Sequence, residues 1–130
     1  MKPALIPGLV TPKSEGDLQS QVLAYLALVP GLVFRRTNSG LIQTKAGRWI
    51  HLAPKGTPDI TGHMPDGRAL YIELKDPKRK RSRDDEKRRE AIALQEAFIA
   101  RAAAAGCVAF TARSLEEVAV RIGDELRRVG

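Results

Sequence analysis

Residues Lys55 to Lys75 read KGTPDITGHMPDGRALYIELK, and the way this stretch divides decides the fold. Gly56-Thr57-Pro58 is a turn-forming cluster that leads into Asp59. Pro65-Asp66-Gly67 is a second turn, and Arg68 to Lys75 is an apolar-rich run of strand length. The pattern predicts two strands joined by a tight turn. Side chains along a strand alternate between faces, so Glu73 and Lys75 project to one side and Leu70, Ile72 and Leu74 to the other. The apolar face is expected to meet the core, leaving the Glu/Lys face for chemistry.

Asp59 is followed after thirteen intervening residues by Glu73-Leu74-Lys75, which supplies two hard oxygen ligands and an amine. Mg²⁺ favours one or two carboxylates completed by waters and phosphate, so a carboxylate from each arm of a hairpin suits it. Lys75, two residues beyond Glu73 on the same face, is placed to orient or deprotonate a water. A Pro-Asp on one strand and a Glu-x-Lys on the next resembles the PD-(D/E)xK nuclease core. Gly56-Thr57-Pro58-Asp59-Ile60 with Ile72-Glu73-Leu74-Lys75 resembles, more narrowly, the virus-type replication and repair (VRR-NUC) nuclease family in its stand-alone phage or bacterial form. That resemblance implies metal-dependent phosphodiester hydrolysis leaving a 5′-phosphate and a 3′-hydroxyl. It implies that Asp59, Glu73 and the Leu74 backbone carbonyl hold Mg²⁺ or Mn²⁺, with Lys75 acting on the attacking water.

With 130 residues the chain is expected to form one domain, residues 14–130, behind an irregular N-terminal arm, residues 1–13, that contains three prolines. There are 22 Lys and Arg against 15 Asp and Glu, a net charge of +7, which favours a polyanionic partner; DNA is the expected one. Charge alone also fits a solvated surface without a specific partner. Cys107 is the only cysteine, which rules out a disulfide within the chain and a cysteine-based zinc site. It is expected to be a buried small hydrophobe. Neither a signal peptide nor a membrane-length apolar run is seen, so a cytoplasmic protein is expected.

Ser14 is an expected N-cap for a first helix whose stripe is Leu18, Val22, Tyr25, Leu26 and Val29, stopped by Pro30-Gly31. Glu15 in its first turn complements the helix dipole. In the VRR-NUC family a Glu stands here in a Ser-Glu-x-x-Leu-Gln context, which Ser14 to Gln19 reproduces. By that resemblance Glu15 joins the metal site, with Asp17 the competing choice. Leu32 to Thr37 reads as a strand ending in the turn Asn38-Ser39-Gly40. Arg35, Arg36, Asn38 and Lys55 are candidate phosphate contacts; an ordinary polar loop is the alternative. Trp49 is expected to anchor the sheet or core, with base stacking the lesser alternative. His51 and His63 are expected at turns or on the surface.

After Asp76-Pro77, the run Lys78-Arg79-Lys80-Arg81-Ser82-Arg83 places five positive charges in six residues beside the expected active strand. It is a candidate DNA clamp, or a solvated loop. A long helix is expected from about Asp84 to Ala105, ended by Gly106, with an apolar stripe at Ala91, Leu94, Phe98 and Ala102. The VRR-NUC family carries a Gln followed three residues later by an aromatic on this helix. Gln95 and Phe98 match, so Gln95 is expected to reach the active site by that resemblance. A buried strand, Cys107 to Ala112, and a final helix capped by Ser114, with inward Leu115, Val118, Ile122, Leu126 and Val129, complete the chain.

This order predicts an α/β fold, a mixed central β-sheet flanked by α-helices as in the PD-(D/E)xK, restriction-endonuclease-like core. The resemblance further implies a structure-selective endonuclease that cuts four-way DNA junctions as a homodimer. A flap-directed or restriction-type endonuclease and a non-catalytic DNA-binding module are the alternatives.

Overall fold

The computed structural model describes residues 12–37, 41–54, 56–76 and 86–128, with the backbone alone at Leu41, Lys87 and Arg88. The elements in chain order are α1 (Glu15–Leu26), β1 (Val33–Arg36), β2 (Leu41–Gln43), β3 (Trp49–His51), β4 (Ile60–His63), β5 (Ala69–Leu74), α2 (Glu86–Ala104), β6 (Val108–Ala112) and α3 (Leu115–Arg127). A four-stranded sheet in the order β1-β4-β5-β6 is joined by a separate two-stranded sheet, β2-β3. β1 with β4 and β4 with β5 pair antiparallel, whereas β5 and β6 pair parallel, so the central sheet is mixed. The parallel pair requires a crossover, and α2 lies within it.

The turn expected at Pro65-Asp66-Gly67 closes the β4–β5 hairpin, with Gly67 N–H donating to the Met64 carbonyl at 2.9 Å. The alternation along β5 separates two layers. Leu70, Ile72 and Leu74 join a core cluster with Leu18, Val22 and Leu26 of α1 and Val118 and Ile122 of α3. Each such side chain stabilises the fold by about 1.5–3 kcal/mol when fully buried. On the opposite face Tyr71 meets Phe98 of α2 edge-on, with ring centroids 5.0 Å apart. The Glu73 face is therefore covered by a helix instead of standing open. Gly62 lets β1 lie close on β4, since a Cβ there would come within 1.9 Å of the Val33 carbonyl oxygen.

Both N-caps form as the sequence predicts: Ser14 Oγ accepts from Asp17 N–H and Ser114 Oγ from Glu117 N–H, each at 3.1 Å. α1 ends at Leu26, before Val29. Pro30 disfavours helical backbone at the residue before it, and Leu28 and Val29 instead close four-residue turns onto Tyr25 and Leu26. The buried line of α2 keeps Phe98 and Ala102 of the expected stripe, but Ala91 and Leu94 are exposed and the seam runs instead through Ile92, Gln95, Phe98, Ile99 and Ala102. In α3, Glu125 takes the inward place expected for Leu126. Arg68 satisfies it, donating to Glu125 Oε2 at 2.6 Å and to its carbonyl at 2.9 Å. Cys107 is half-buried. Among the described residues no helix is long and apolar enough to cross a membrane.

Candidate active site

The site forms where β4 begins and β5 ends. Ile60 pairs with Ile72, so Asp59 lies one step beyond that register on β4 and Glu73 one step beyond it on β5. Opposed residues of an antiparallel pair share a face, so the two carboxyl groups turn to the same side. Two hydrogen bonds fix Asp59. Its carbonyl accepts from Thr37 N–H at 2.7 Å, and its Oδ2 accepts from Leu74 N–H at 2.9 Å.

The Gly-Thr-Pro lead-in has a local reason. Thr57 folds back on Pro54, its hydroxyl donating to the Pro54 carbonyl at 2.6 Å. Gly56 has φ of +85°, and a Cβ there would lie 3.1 Å from Leu94 Cβ and 3.2 Å from the Leu94 carbonyl oxygen. Only glycine allows both that backbone conformation and that approach. The loop carrying Asp59 therefore rests on the turn of α2 that carries Gln95.

Lys75 is held at both ends. Its N–H donates to the Ala112 carbonyl at 2.9 Å, and its Nζ donates to Gln95 Oε1 at 2.7 Å. Gln95 thus fixes the ammonium group while leaving further donors on Nζ. Glu73 is 2% exposed, and its Oε2 is buried with no hydrogen-bond partner among the described residues. Its pKa is pushed up from 4.5 to about 9, first by burial, then by the hydrogen bond and the charge of Asp59, with Glu15 adding to the rise and Lys75 opposing it. Glu15 on α1 is thereby within electrostatic reach of Glu73.

The structure thus gathers Asp59, Glu73, Lys75 and Gln95, with Glu15 acting on Glu73 through its charge. The Leu74 backbone lies at the same strand end, its N–H committed to Asp59. Among the described residues no three His, Cys, Asp or Glu side chains are grouped to hold a metal ion by themselves. Arg35 and Arg36 are exposed on β1, the strand at the sheet edge. Asn38, Lys55, Lys78, Arg79, Lys80, Arg81 and Arg83 lie outside the described residues.

Trp49 departs from expectation. It is 65% exposed on β3 and anchors no core. The sequence reading also did not anticipate the Thr37–Asp59 backbone bond or the Gly56–Leu94 contact. Gly56 itself was a signal, because a glycine heading a motif that carries a charged residue often marks a close approach.

No protein-family model, curated protein or solved structure matches the chain.

Proposed function

We propose that the chain is a metal-dependent DNA endonuclease of the PD-(D/E)xK type, similar to the VRR-NUC family, acting on branched DNA and, as a homodimer, on four-way junctions. The observation that carries the reading is the Glu73 carboxyl: buried, facing Asp59, and left with an unpartnered oxygen beside a lysine held by Gln95. A buried polar atom without a partner costs stability, and such groups cluster where a ligand completes them.

The donor set fits Mg²⁺ or Mn²⁺. These ions take one or two carboxylates and fill their remaining positions with water and phosphate oxygens, so two carboxylates suffice. Asp59 and Glu73 would hold the ion, with the Leu74 carbonyl and Glu15 contributing directly or through water. When bound, it would stabilise charge on the scissile phosphate and acidify a water.

The protein's own residues supply the rest. The bond from Leu74 N–H keeps the Asp59 carboxylate from rotating away, so it needs no reordering when ligands arrive. Glu73 holds a proton at neutral pH and must release it to ligate a cation. Gln95 accepts one N–H of Lys75, and the remaining Nζ–H bonds of Lys75 would serve the attacking water or a phosphate oxygen. Attack in line with the bond to O3′ then leaves a 5′-phosphate and a 3′-hydroxyl. The exposed Arg35 and Arg36 would contact phosphates without reading sequence.

The test is cleavage of end-labelled four-way junction, flap and linear duplex with Mg²⁺, Mn²⁺ or chelator, with Asp59→Ala as control. Metal-dependent paired cuts at the junction, lost in the variant, support the whole reading. Cutting of flaps or linear duplex keeps the chemistry and removes the junction. Binding without cutting under every condition refutes catalysis.

A further inference from the structure

No Asp or Glu occurs between Asp17 and Asp59, while Arg35, Arg36, Lys45, Arg48 and Lys55 fall in that interval. Its centre is the β2–β3 hairpin, a ribbon whose strands pair only with each other among the described residues. Ile42, Trp49, Ile50 and Leu52 are 42, 65, 39 and 41% exposed. A two-stranded ribbon showing apolar side chains on both faces is marginally stable by itself and is completed by something that binds it. Its turn is nonetheless well braced. Gly47 N–H donates to the Thr44 carbonyl at 2.9 Å, Arg48 N–H to Thr44 Oγ1 at 3.2 Å, and Gln43 Nε2 to the Gly47 carbonyl at 3.3 Å.

The register puts Trp49 opposite Gln43 and His51 opposite Leu41, so the indole and imidazole share one face, with Lys45 and Arg48 near the tip. The ribbon is planted at the candidate active site, because the chain leaves the main sheet at Thr37 and returns at Asp59, the two residues joined by their backbone bond. From His51 to Asp59 the chain can extend no further than about 29 Å. That is within about one turn of a DNA duplex.

The charge selects the occupant. An acid-free basic ribbon fits a polyanion, and an exposed indole among cations fits a polyanion that presents flat apolar faces, which unpaired nucleobases do. A continuous duplex hides those faces in its stack. We propose that this hairpin recognises branched DNA, Trp49 stacking on an unpaired base at the branch while Lys45 and Arg48 hold the adjoining phosphates. The inference deepens the nuclease reading by naming what selects the branch. It stands or falls separately from cutting.

Trp49 is the sole tryptophan, so the emission of the full chain reports on it directly. In chelator, the chain is titrated with a forked duplex bearing unpaired thymidine arms and with a blunt duplex of the same length. The fork is expected to quench Trp49 emission strongly and the blunt duplex to leave it nearly unchanged. Trp49→Ala is expected to weaken fork binding by roughly five- to a hundred-fold, the loss of one base stack, with blunt-duplex binding within about twofold; Trp49→Phe retains most of the preference. Unchanged emission while the fork binds overturns the inference. So does an equal loss on both DNAs, or a variant that turns a dimer into a monomer in sedimentation with its DNA affinity intact, which would make the face a contact between copies. Fork-specific quenching in a protein that cuts nothing with Mg²⁺ or Mn²⁺ upholds the hairpin and refutes the nuclease. Cutting with a silent Trp49 does the reverse.

Discussion

Replacing Glu73 with Gln tests the electrostatics of the site without any DNA. In the folded chain the Glu73 carboxyl has a pKa of about 9 against an ordinary 4.5, so between those values the folded state carries a proton that the unfolded state has released. Stability from this group is therefore fully present below pH 4.5 and is lost as pH rises towards 9. The slope for one proton is about 1.4 kcal/mol per pH unit, so from about pH 5.5 to about 7.5 the wild-type chain loses about 2.7 kcal/mol through Glu73. Glutamine has the same shape, cannot ionise, and can donate its amide N–H to Asp59 as the protonated carboxyl does. Urea unfolding of both proteins in chelator, followed by circular dichroism at several pH values, gives the comparison. The Gln variant should gain on the wild type by about 2.7 kcal/mol across that interval, other groups cancelling. A difference that stays constant with pH would show that Glu73 is ionised throughout and would remove the basis for its buried, protonated state.

Removing Lys75 or its acceptor should separate chemistry from binding. Lys75→Ala is expected to slow cleavage at least about a hundred-fold and Gln95→Leu by a smaller factor, with DNA affinity in chelator retained in gel-shift assays. Arg68→Ala leaves the 7%-exposed Glu125 without its two short hydrogen bonds. Loss of a partner from a buried pair costs about 3–5 kcal/mol; with Arg68 26% exposed and Arg121 and Arg128 within 3.8 and 3.7 Å of Glu125, about 2 kcal/mol in urea unfolding is expected. Gly62→Ala forces a methyl against the Val33 carbonyl and should cost about 3 kcal/mol or leave the chain insoluble, read as the soluble yield and unfolding midpoint.

The central hairpin was legible because its signals are local. Turn chemistry at Pro65-Asp66-Gly67 and alternation from Leu70 to Lys75 specify a strand pair whose register sets Asp59 against Glu73. Both serine caps were legible for the same reason. What the sequence concealed depends on distant partners. Glu125 reads as a solvated helix residue until Arg68, fifty-seven positions away, is brought to it. Leu94 reads as a core residue, yet the seam of α2 passes through Gln95, because the helix must turn toward Lys75 and Tyr71 together. Trp49 misleads for another reason: an aromatic in a short strand is ordinarily buried, and nothing within the strand tells that its ribbon stands apart from the main sheet. The raised pKa of Glu73 arises first from burial and then from Asp59, which alternation alone cannot express.

The backbone bond between Thr37 and Asp59 also makes the hairpin between them, residues 41–51, interchangeable, while Gly56 keeps its place against α2. Because the two ends of the excursion are already held side by side by the main sheet, that sheet does not register how long it is. Doubling its length costs only about 0.6 kcal/mol in closure entropy. Exchanging residues 41–51 for a Gly-Ser bridge should therefore leave the thermal unfolding midpoint nearly where it was. If the proposed nuclease reading holds, a catalytic centre mounted this way could be given a different recognition arm without being rebuilt, leaving substrate choice and bond-breaking chemistry free to change at different rates.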